Sequence, residues 1–324
     1  MGTTIGKAAA ARMLMQQDRI MIISHVNPDG DTLGSSFALY HALSTLGKRV
    51  CVVNNDKITP KYCFLSGGKS VLKPQFEPDF IVAVDVGDTS LFGPSLERFA
   101  DRVHVCIDHR PSNKKYAKYN VIDAKAAAVG EIMLDIILEM RVDMSREIAD
   151  SLYTAIATDS GCFQHSSTTA TTLRKAAKTV DLGADITYLN NHLFVVKSKE
   201  KFELERLAIQ NMRFFKNNSI AFMVLSLDMM KQSGASLDDV DGIAALPRQI
   251  EGVSVGVTMR EINDGEYRVS ARSDGHINMS EVCQRLGGGG HVRAAGCVLS
   301  GPTDEVIDRI LQEVLKEYKE VDEQ

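Results

Sequence analysis

Arg19-Ile20-Met21-Ile22-Ile23-Ser24-His25-Val26-Asn27-Pro28-Asp29-Gly30-Asp31 is a short apolar run broken by a proline and a glycine, with an imidazole and two carboxylates placed just after it. Such a run followed by chain breakers reads as a buried β-strand over 19–23, and residues 32–47 then carry a helical pattern. The arrangement recurs twice: the apolar stretch 80–84 ends at Asp85, and 103–107 ends at Asp108-His109. Three strands therefore deliver acidic side chains to what reads as one edge of a parallel sheet, the edge at which open α/β sheets bind ligands. A further strand over 49–54 and helices over 125–140, 145–157 and 168–182 make the predicted fold α/β, a doubly wound, mainly parallel sheet.

Taken singly, each aspartate has an ordinary explanation, because Asp after a strand is a common helix cap or turn former. Repetition at three strand ends favours metal. His25, Asp29, Asp31, Asp85, Asp108, His109 and Asp159, on four separate segments, are seven side chains able to grip two divalent cations. Two dications ~3.5–4 Å apart repel strongly, and carboxylates that can bridge them hold them together, while imidazole nitrogen tilts the preference toward manganese-like ions.

The four segments, His25-Val26-Asn27-Pro28-Asp29-Gly30-Asp31, Asp85, Asp108-His109 and Asp159-Ser160-Gly161, resemble the motifs of the DHH phosphoesterases. That family includes RecJ-type exonucleases, class II inorganic pyrophosphatases, cyclic-dinucleotide phosphodiesterases and the small nano-RNase/pAp phosphatases. The resemblance covers nearly the whole chain and is nearest to the last group. It implies His25, Asp29 and Asp85 on one metal, and Asp31, Asp85, His109 and Asp159 on the other, with Asp85 as the bridge. The implied cofactor is two Mn2+, with Mg2+ or Co2+ as alternatives. Asp108 would orient a neighbouring imidazole. Asp85, Asp108, His109 and Arg110 are the expected catalytic residues. One departure is plain, since the family's Asp-His-His here reads Asp108-His109-Arg110. Arginine can clamp a phosphate through paired charge-assisted hydrogen bonds, but with a pKa above ~12 it cannot shuttle protons near neutrality. Arg110 is therefore expected to bind phosphate, leaving another group or solvent to protonate the leaving oxygen.

A second signal lies at Leu286-Gly287-Gly288-Gly289-Gly290-His291-Val292-Arg293-Ala294-Ala295-Gly296. Four consecutive glycines are costly to order, which is tolerable where a ligand needs exposed backbone N–H groups and close approach. The stretch resembles the glycine-rich motif of the DHH-associated domain, and Arg272-Ser273 resembles the Arg-Ser that helps hold phosphate there. The implied substrate contacts are Arg110, Arg272, Ser273, Gly288, Gly289, Gly290 and His291. Strands over 220–227, 253–260 and 267–271, the last two joined through the hairpin signal Asn263-Asp264-Gly265, predict a smaller α/β domain with a mixed sheet. The expected organisation is a DHH domain over 1–190, a charged helical linker over 191–217 and the associated domain over 218–324, with the active site in the cleft between domains.

At 324 residues the chain exceeds what one core usually serves. A formal net charge of −5 argues against a long nucleic acid as partner, because such binding needs a broad basic surface. No apolar run reaches ~18–20 residues and no signal-peptide pattern opens the chain, so no membrane association and a cytoplasmic location are expected. Six cysteines without C-x-x-C spacing read as reduced thiols. Gly67-Gly68-Lys69-Ser70 imitates a P-loop end, but Cys63 stands where the first glycine belongs, so a turn is expected. His165-Ser166-Ser167-Thr168 reads as capping residues before a helix.

The resemblance implies a di-manganese phosphoesterase that cuts short oligoribonucleotides to mononucleotides and 3′-phosphoadenosine 5′-phosphate (pAp) to AMP and phosphate. The alternatives are a linear or cyclic dinucleotide phosphodiesterase, an inorganic pyrophosphatase, and a nucleotide-binding protein without turnover. Short RNA and pAp are the expected partners, and a homodimer stays open.

Overall fold

Ile20, Met21, Ile22 and Ile23 are all inaccessible to solvent, because the strand they form is covered on both faces. Such a strand is apolar without alternation. The computed structural model describes residues 2–67, 76–240 and 242–322, in two units, Met1–Val196 and Lys197–Gln324.

The first unit contains β1 (Thr3–Thr4), β2 (Ile20–Ile23), β3 (Val50–Val53), β4 (Phe80–Val84), β5 (Val105–Asp108) and β6 (Tyr119–Ile122). They form one wholly parallel sheet in the order β1-β6-β5-β4-β2-β3. Its helices are α1 (Lys7–Met15), α2 (Gly30–Thr45), α3 (Val129–Met140), α4 (Arg146–Asp159), α5 (Ala170–Asp181) and α6 (Ile186–Asn190). Ile20, Ile22, Val82 and Ile107 pack on one face against the helices. Met21, Ile23, Ile81 and Cys106 pack on the other, under Phe92, Leu96 and Phe99 from short 3-10 turns and their flanks. From β2 the chain runs outward to β3 and then returns to β4 on the opposite side. The strand order thus reverses between β2 and β4, the kind of point where connections diverge and leave a crevice.

Predicted elements recur with shifted ends. The helix over 32–47 begins at Gly30, and the helix over 125–140 begins at Val129. The strand over 103–107 lies at Val105–Asp108, so Asp108 is its last residue. β1 and β6 were not expected. Gly67, in the left-handed region, ends the 3-10 turn Pro60–Ser66, while the rest of Gly67-Gly68-Lys69-Ser70 lies outside the described residues.

The second unit contains α7 (Lys199–Gln210), β7 (Arg213–Phe215), β8 (Ile220–Leu225), α8 (Leu227–Ser233), β9 (Val255–Asn263), β10 (Glu266–Ser273), α9 (Met279–Arg285), β11 (Gly289–His291), β12 (Ala294–Ser300) and α10 (Thr303–Asp322). Its mixed sheet runs β11-β12-β10-β9-β8-β7, with β8 and β9 parallel and the other pairs antiparallel. Ile220, Val257, Val269 and Cys297 face α9 and α10, while Met223 and Leu225 on the opposite face meet Leu204 and Ala208 of α7. Within the expected helical linker over 191–217, the charged helix α7 ends at Gln210 and edge strand β7 follows. Among the described residues no helix is long and apolar enough to cross a membrane, and all six cysteines are free.

The α2–α4 contact positions the acidic residues. A Cβ on Gly30 would sit 2.4 Å from the Thr158 hydroxyl, and one on Gly34 would sit 2.5 Å from the Ser151 carbonyl oxygen and 2.8 Å from the Ala155 nitrogen. Glycine at these two helical positions lets α2 approach α4 at backbone distance. In isolation Gly34→Ala would favour a helix by ~1 kcal/mol, but overpacking against rigid backbone costs typically ~1–3 kcal/mol. We expect the clash to win and the melting temperature of Gly34→Ala to fall; an equal or higher value by thermal denaturation would show that the helices separate at no cost.

Candidate metal centre

His25 stands two residues past the end of β2, and its ring Nδ1 lies 2.7 Å from the Val26 carbonyl oxygen. His109 follows β5, and its Nδ1 lies 3.1 Å from the Ala126 carbonyl oxygen. A carbonyl only accepts, so both rings donate from Nδ1 and, when neutral, keep the lone pair on Nε2, the arrangement that prepares imidazole for a metal. Asp85 leaves β4 with φ +60, a left-handed conformation uncommon outside glycine, while its N–H still donates to Ile107 O. Strained backbone of this kind clusters at functional sites.

The remaining carboxylates sit at helix ends. Asp29 is the N-cap of α2 and accepts from the N–H groups of Asp31 and Thr32. Asp31, inside the same helix, is buried and accepts from Val129 N at 2.7 Å and Gly130 N at 2.9 Å, which caps α3 from outside, since α3 has no side-chain cap of its own. Asp159 closes α4. Capping and cation binding are thus compatible duties of the same residues.

Ligand-type atoms of His25, Asp29 and Asp85 lie within 4.8 Å of one another, as do those of Asp31, His109 and Asp159, and those of Asp85, Asp108 and His109. These groups could hold metal ions. Asp85 spans both sides, with Oδ2 3.4 Å from His25 Nε2 and Oδ1 3.8 Å from His109 Nε2. His109 Nε2 is 3.4 Å from Asp159 Oδ2. Burial pushes the Asp31 carboxyl well up, with Asp85 and Asp159 adding like charge. Burial also pushes up Asp85, against the opposing pull of His25 and Arg110, and raises Asp159 to about 6, with Asp29 and Asp85 contributing. Burial opposes charge on His25, yet the Asp29 and Asp85 carboxylates 3.8 and 3.4 Å from its Nε2 outweigh it and hold its pKa at about 10. His25 Nε2 and Asp85 Oδ1 are buried without a hydrogen bond, although Arg110 Nη1 stands 2.8 Å from Oδ1 in an ion pair. A cation would satisfy both orphaned atoms and relieve the carboxylate repulsion, so the donor set fits the expected metals.

The third motif departs from its expected geometry. Asp108 is wholly buried and accepts from His109 N, from Arg110 N and, at 2.6 Å, from Asn113 Nδ2. It fixes the backbone of residues 109 and 110, so His109 is oriented through its main chain and its ring is held by Ala126. Arg110 donates to the Asp85 carbonyl at 2.6 Å and to Asp85 Oδ2 at 3.2 Å, placing a fixed cation against the central carboxylate. Asn113 and the amide pair of Val129 and Gly130 were not legible beforehand; Asn113 lies in a polar loop, and a backbone donor leaves no trace in residue identity.

In the second unit, Gly287 has φ +80 and donates to Gln284 O, while Gly288 N donates to Cys283 O at 2.7 Å, which is the Schellman ending of α9. A Cβ on Gly288 would lie 2.1 Å from Gly296 O, and one on Gly290 2.5 Å from Ala295 Cα, so these two glycines permit the β11–β12 hairpin. The glycine run is thus an ordered cap and strand, and only a Cβ at Gly287 or Gly289 would meet open space. His291 is exposed in β11. Arg272 and the glycines line one open groove of about 820 Å³. Ser273 does not face it with a free hydroxyl, which instead donates to Ile277 O at 2.7 Å.

Residues 19–156 match the DHH family, N-terminal domain, and residues 217–320 match the DHHA1 domain. A Thermus thermophilus protein named bifunctional oligoribonuclease and PAP phosphatase NrnA is 32% identical over 304 residues, covering 92% of this chain and 90% of that one. A Bacillus subtilis protein of the same name is 25% identical, covering 95% and 97%. Among solved structures, an exopolyphosphatase-related protein from Bacteroides fragilis superposes with TM-score 0.87 at 23% identity over 98% of this chain and 97% of that one, which shows the same fold. With both domains matched and a relative at this identity aligned almost end to end, the chain belongs to the DHH family and carries a DHHA1 domain.

Proposed function

We propose that the chain is a metal-dependent phosphoesterase that hydrolyses short oligoribonucleotides to mononucleotides and pAp to AMP and phosphate. The observation that carries this reading is the centre itself: the Nε2 atoms of two imidazoles, each turned by an Nδ1 contact to a backbone carbonyl, face four carboxylates, two of them buried, in a chain whose relatives are named for those activities. His25, Asp29 and Asp85 would hold one manganese ion, and Asp31, Asp85, His109 and Asp159 the other. When bound, two such cations supply charge that neutralises phosphoester oxygens and acidifies water.

The chain's own residues do the rest. Val26 and Ala126 carbonyls keep both imidazoles in the ligating tautomer, and the α3 N-terminus fixes Asp31. Arg110, about a third exposed beside Asp85, is placed to give hydrogen bonds to a phosphate oxygen without losing its proton. The leaving oxygen takes its proton from solvent or another group. Arg272, in the second unit, would hold a phosphate of a ligand lying in the groove that it lines.

Offered pAp, pApA, a long RNA and pyrophosphate side by side with Mn2+, the protein should turn over the first two fastest. Asp85→Ala should abolish every activity, and selective loss of one would point to a different site. Arg110→His should retain activity while Arg110→Ala raises KM; an unchanged KM would remove Arg110 from substrate binding.

Protonation sets the pH dependence of the centre. A carboxyl whose folded pKa is raised destabilises the fold as pH climbs through that value, so the metal-free protein carries this cost near neutrality and not below about pH 4. Asp159→Asn should therefore raise the metal-free melting temperature near pH 8 and leave it unchanged near pH 4. Mn2+ should displace protons from His25 and the raised carboxyls, so its affinity falls as pH falls and uptake acidifies a weakly buffered solution. Calorimetric affinities independent of pH would contradict ligation by these groups.

A further inference from the structure

Arg268 of β10 stands directly opposite Arg260 of β9 in the antiparallel register. Like charges at opposed sheet positions are unfavourable. Burial and the neighbouring Arg268 hold the Arg260 guanidinium below its ordinary pKa, and no carboxylate pairs with either arginine among the described residues. Glu266 shares this strand face by alternation, but its Oε2 accepts from Asn263. A protein of net charge −5 that leaves two opposed arginines without a counterion has a place for an anion from outside.

The location narrows the choice of anion. Arg260 and Arg268 line the same open groove as Arg272 and the glycine hairpin. Side chains 268, 270 and 272 fall on one face of β10, and a strand rises about 3.4 Å per residue, so Arg268 and Arg272 are rooted ~13 Å apart. That span exceeds the separation of two phosphates joined through a single ribose, and it fits phosphates of one linear strand that are more than one nucleotide apart. Ser270, between the arginines on the same strand, puts a small polar side chain on the groove lining.

We propose that Arg260 and Arg268 form a phosphate clamp for linear oligonucleotides, engaged together with Arg272 by two phosphates of a trinucleotide or longer chain that lie two nucleotides apart, a spacing that pAp lacks. This rests on the phosphoesterase reading for the identity of the ligand. The clamp adds affinity with length through a pair of contacts that a nucleoside bisphosphate cannot make at once.

The test uses Arg260→Gln, Arg268→Gln and the double variant in the full-length protein. With Mn2+, kcat/KM for a 5′-phosphorylated trinucleotide should fall about tenfold for each arginine removed, as expected for a hydrogen bond to a charged group, and its salt dependence should flatten. Turnover of pAp should not change. Melting temperatures should not fall, because each substitution removes like-charge repulsion. Equal losses on pAp and trinucleotide would overturn the proposal by placing the pair at the first phosphate, and no loss on either would overturn it as well. A second arm separates this from the activity: in EDTA, titration calorimetry should show the unaltered protein binding the trinucleotide more tightly than pAp and the double variant losing that difference. Absence of turnover with this binding difference intact sinks the phosphoesterase reading alone, whereas equal affinities for the two ligands sink the clamp.

Discussion

Like-charged carboxylates forced together inside a protein are what the first unit is built around. Asp31 and Asp85 are almost wholly buried, and Asp29 and Asp159 add charge beside them. Isolated burial of ionised carboxylates is so costly that the groups ordinarily neutralise instead. Here they are held in place by a parallel sheet that ends at them, by a positive φ at Asp85, by the α3 amides on Asp31, and by glycines that let α2 touch α4. Each device works against the local repulsion, and the cluster that they assemble could hold metal ions. The stability of the fold and the chemistry of the site are therefore one electrostatic problem.

Much of this was visible in the residues because burial on both faces makes parallel strands read as uninterrupted apolar runs. β2 and β4 announce themselves in that way, and Asp85 stands out because it ends such a run. β6 did not, since Tyr119-Asn120-Val121-Ile122 has an amide at its centre; Asn120 is nevertheless buried, its Nδ2 donating to Ala117 O. β1 has only two residues and exists through pairing with β6, a partner far away in sequence. For Asp29 a cap does not exclude a ligand's place, because one side chain accepts from two α2 amides and still approaches His25.

The glycine run shows a different limit. Composition alone reads four glycines as exposed amides waiting for a ligand, whereas Gly287 and Gly288 end α9, and Gly288 and Gly290 allow two backbones to meet. Glycine identity records that a Cβ is excluded and not what excludes it. The Arg260–Arg268 opposition was equally hidden, because cross-strand register couples positions that no spacing rule links within the sequence.

Arginine at position 110 changes the charge balance of the centre more than its shape. The five carboxylates Asp29, Asp31, Asp85, Asp108 and Asp159 carry five negative charges when ionised. Two dications would leave one uncompensated, and a neutral imidazole at position 110 would not alter that. The Arg110 guanidinium, paired with Asp85, supplies the missing charge permanently. On the proposed reading the loaded centre is then neutral overall, so an incoming phosphate meets no residual negative field, and the protein gives up a titratable donor for a pH-independent attraction. A substitution at the family's eponymous motif therefore reads as a shift of duty from proton transfer to anion binding, in a chain whose second unit sets further unpaired arginines along its groove.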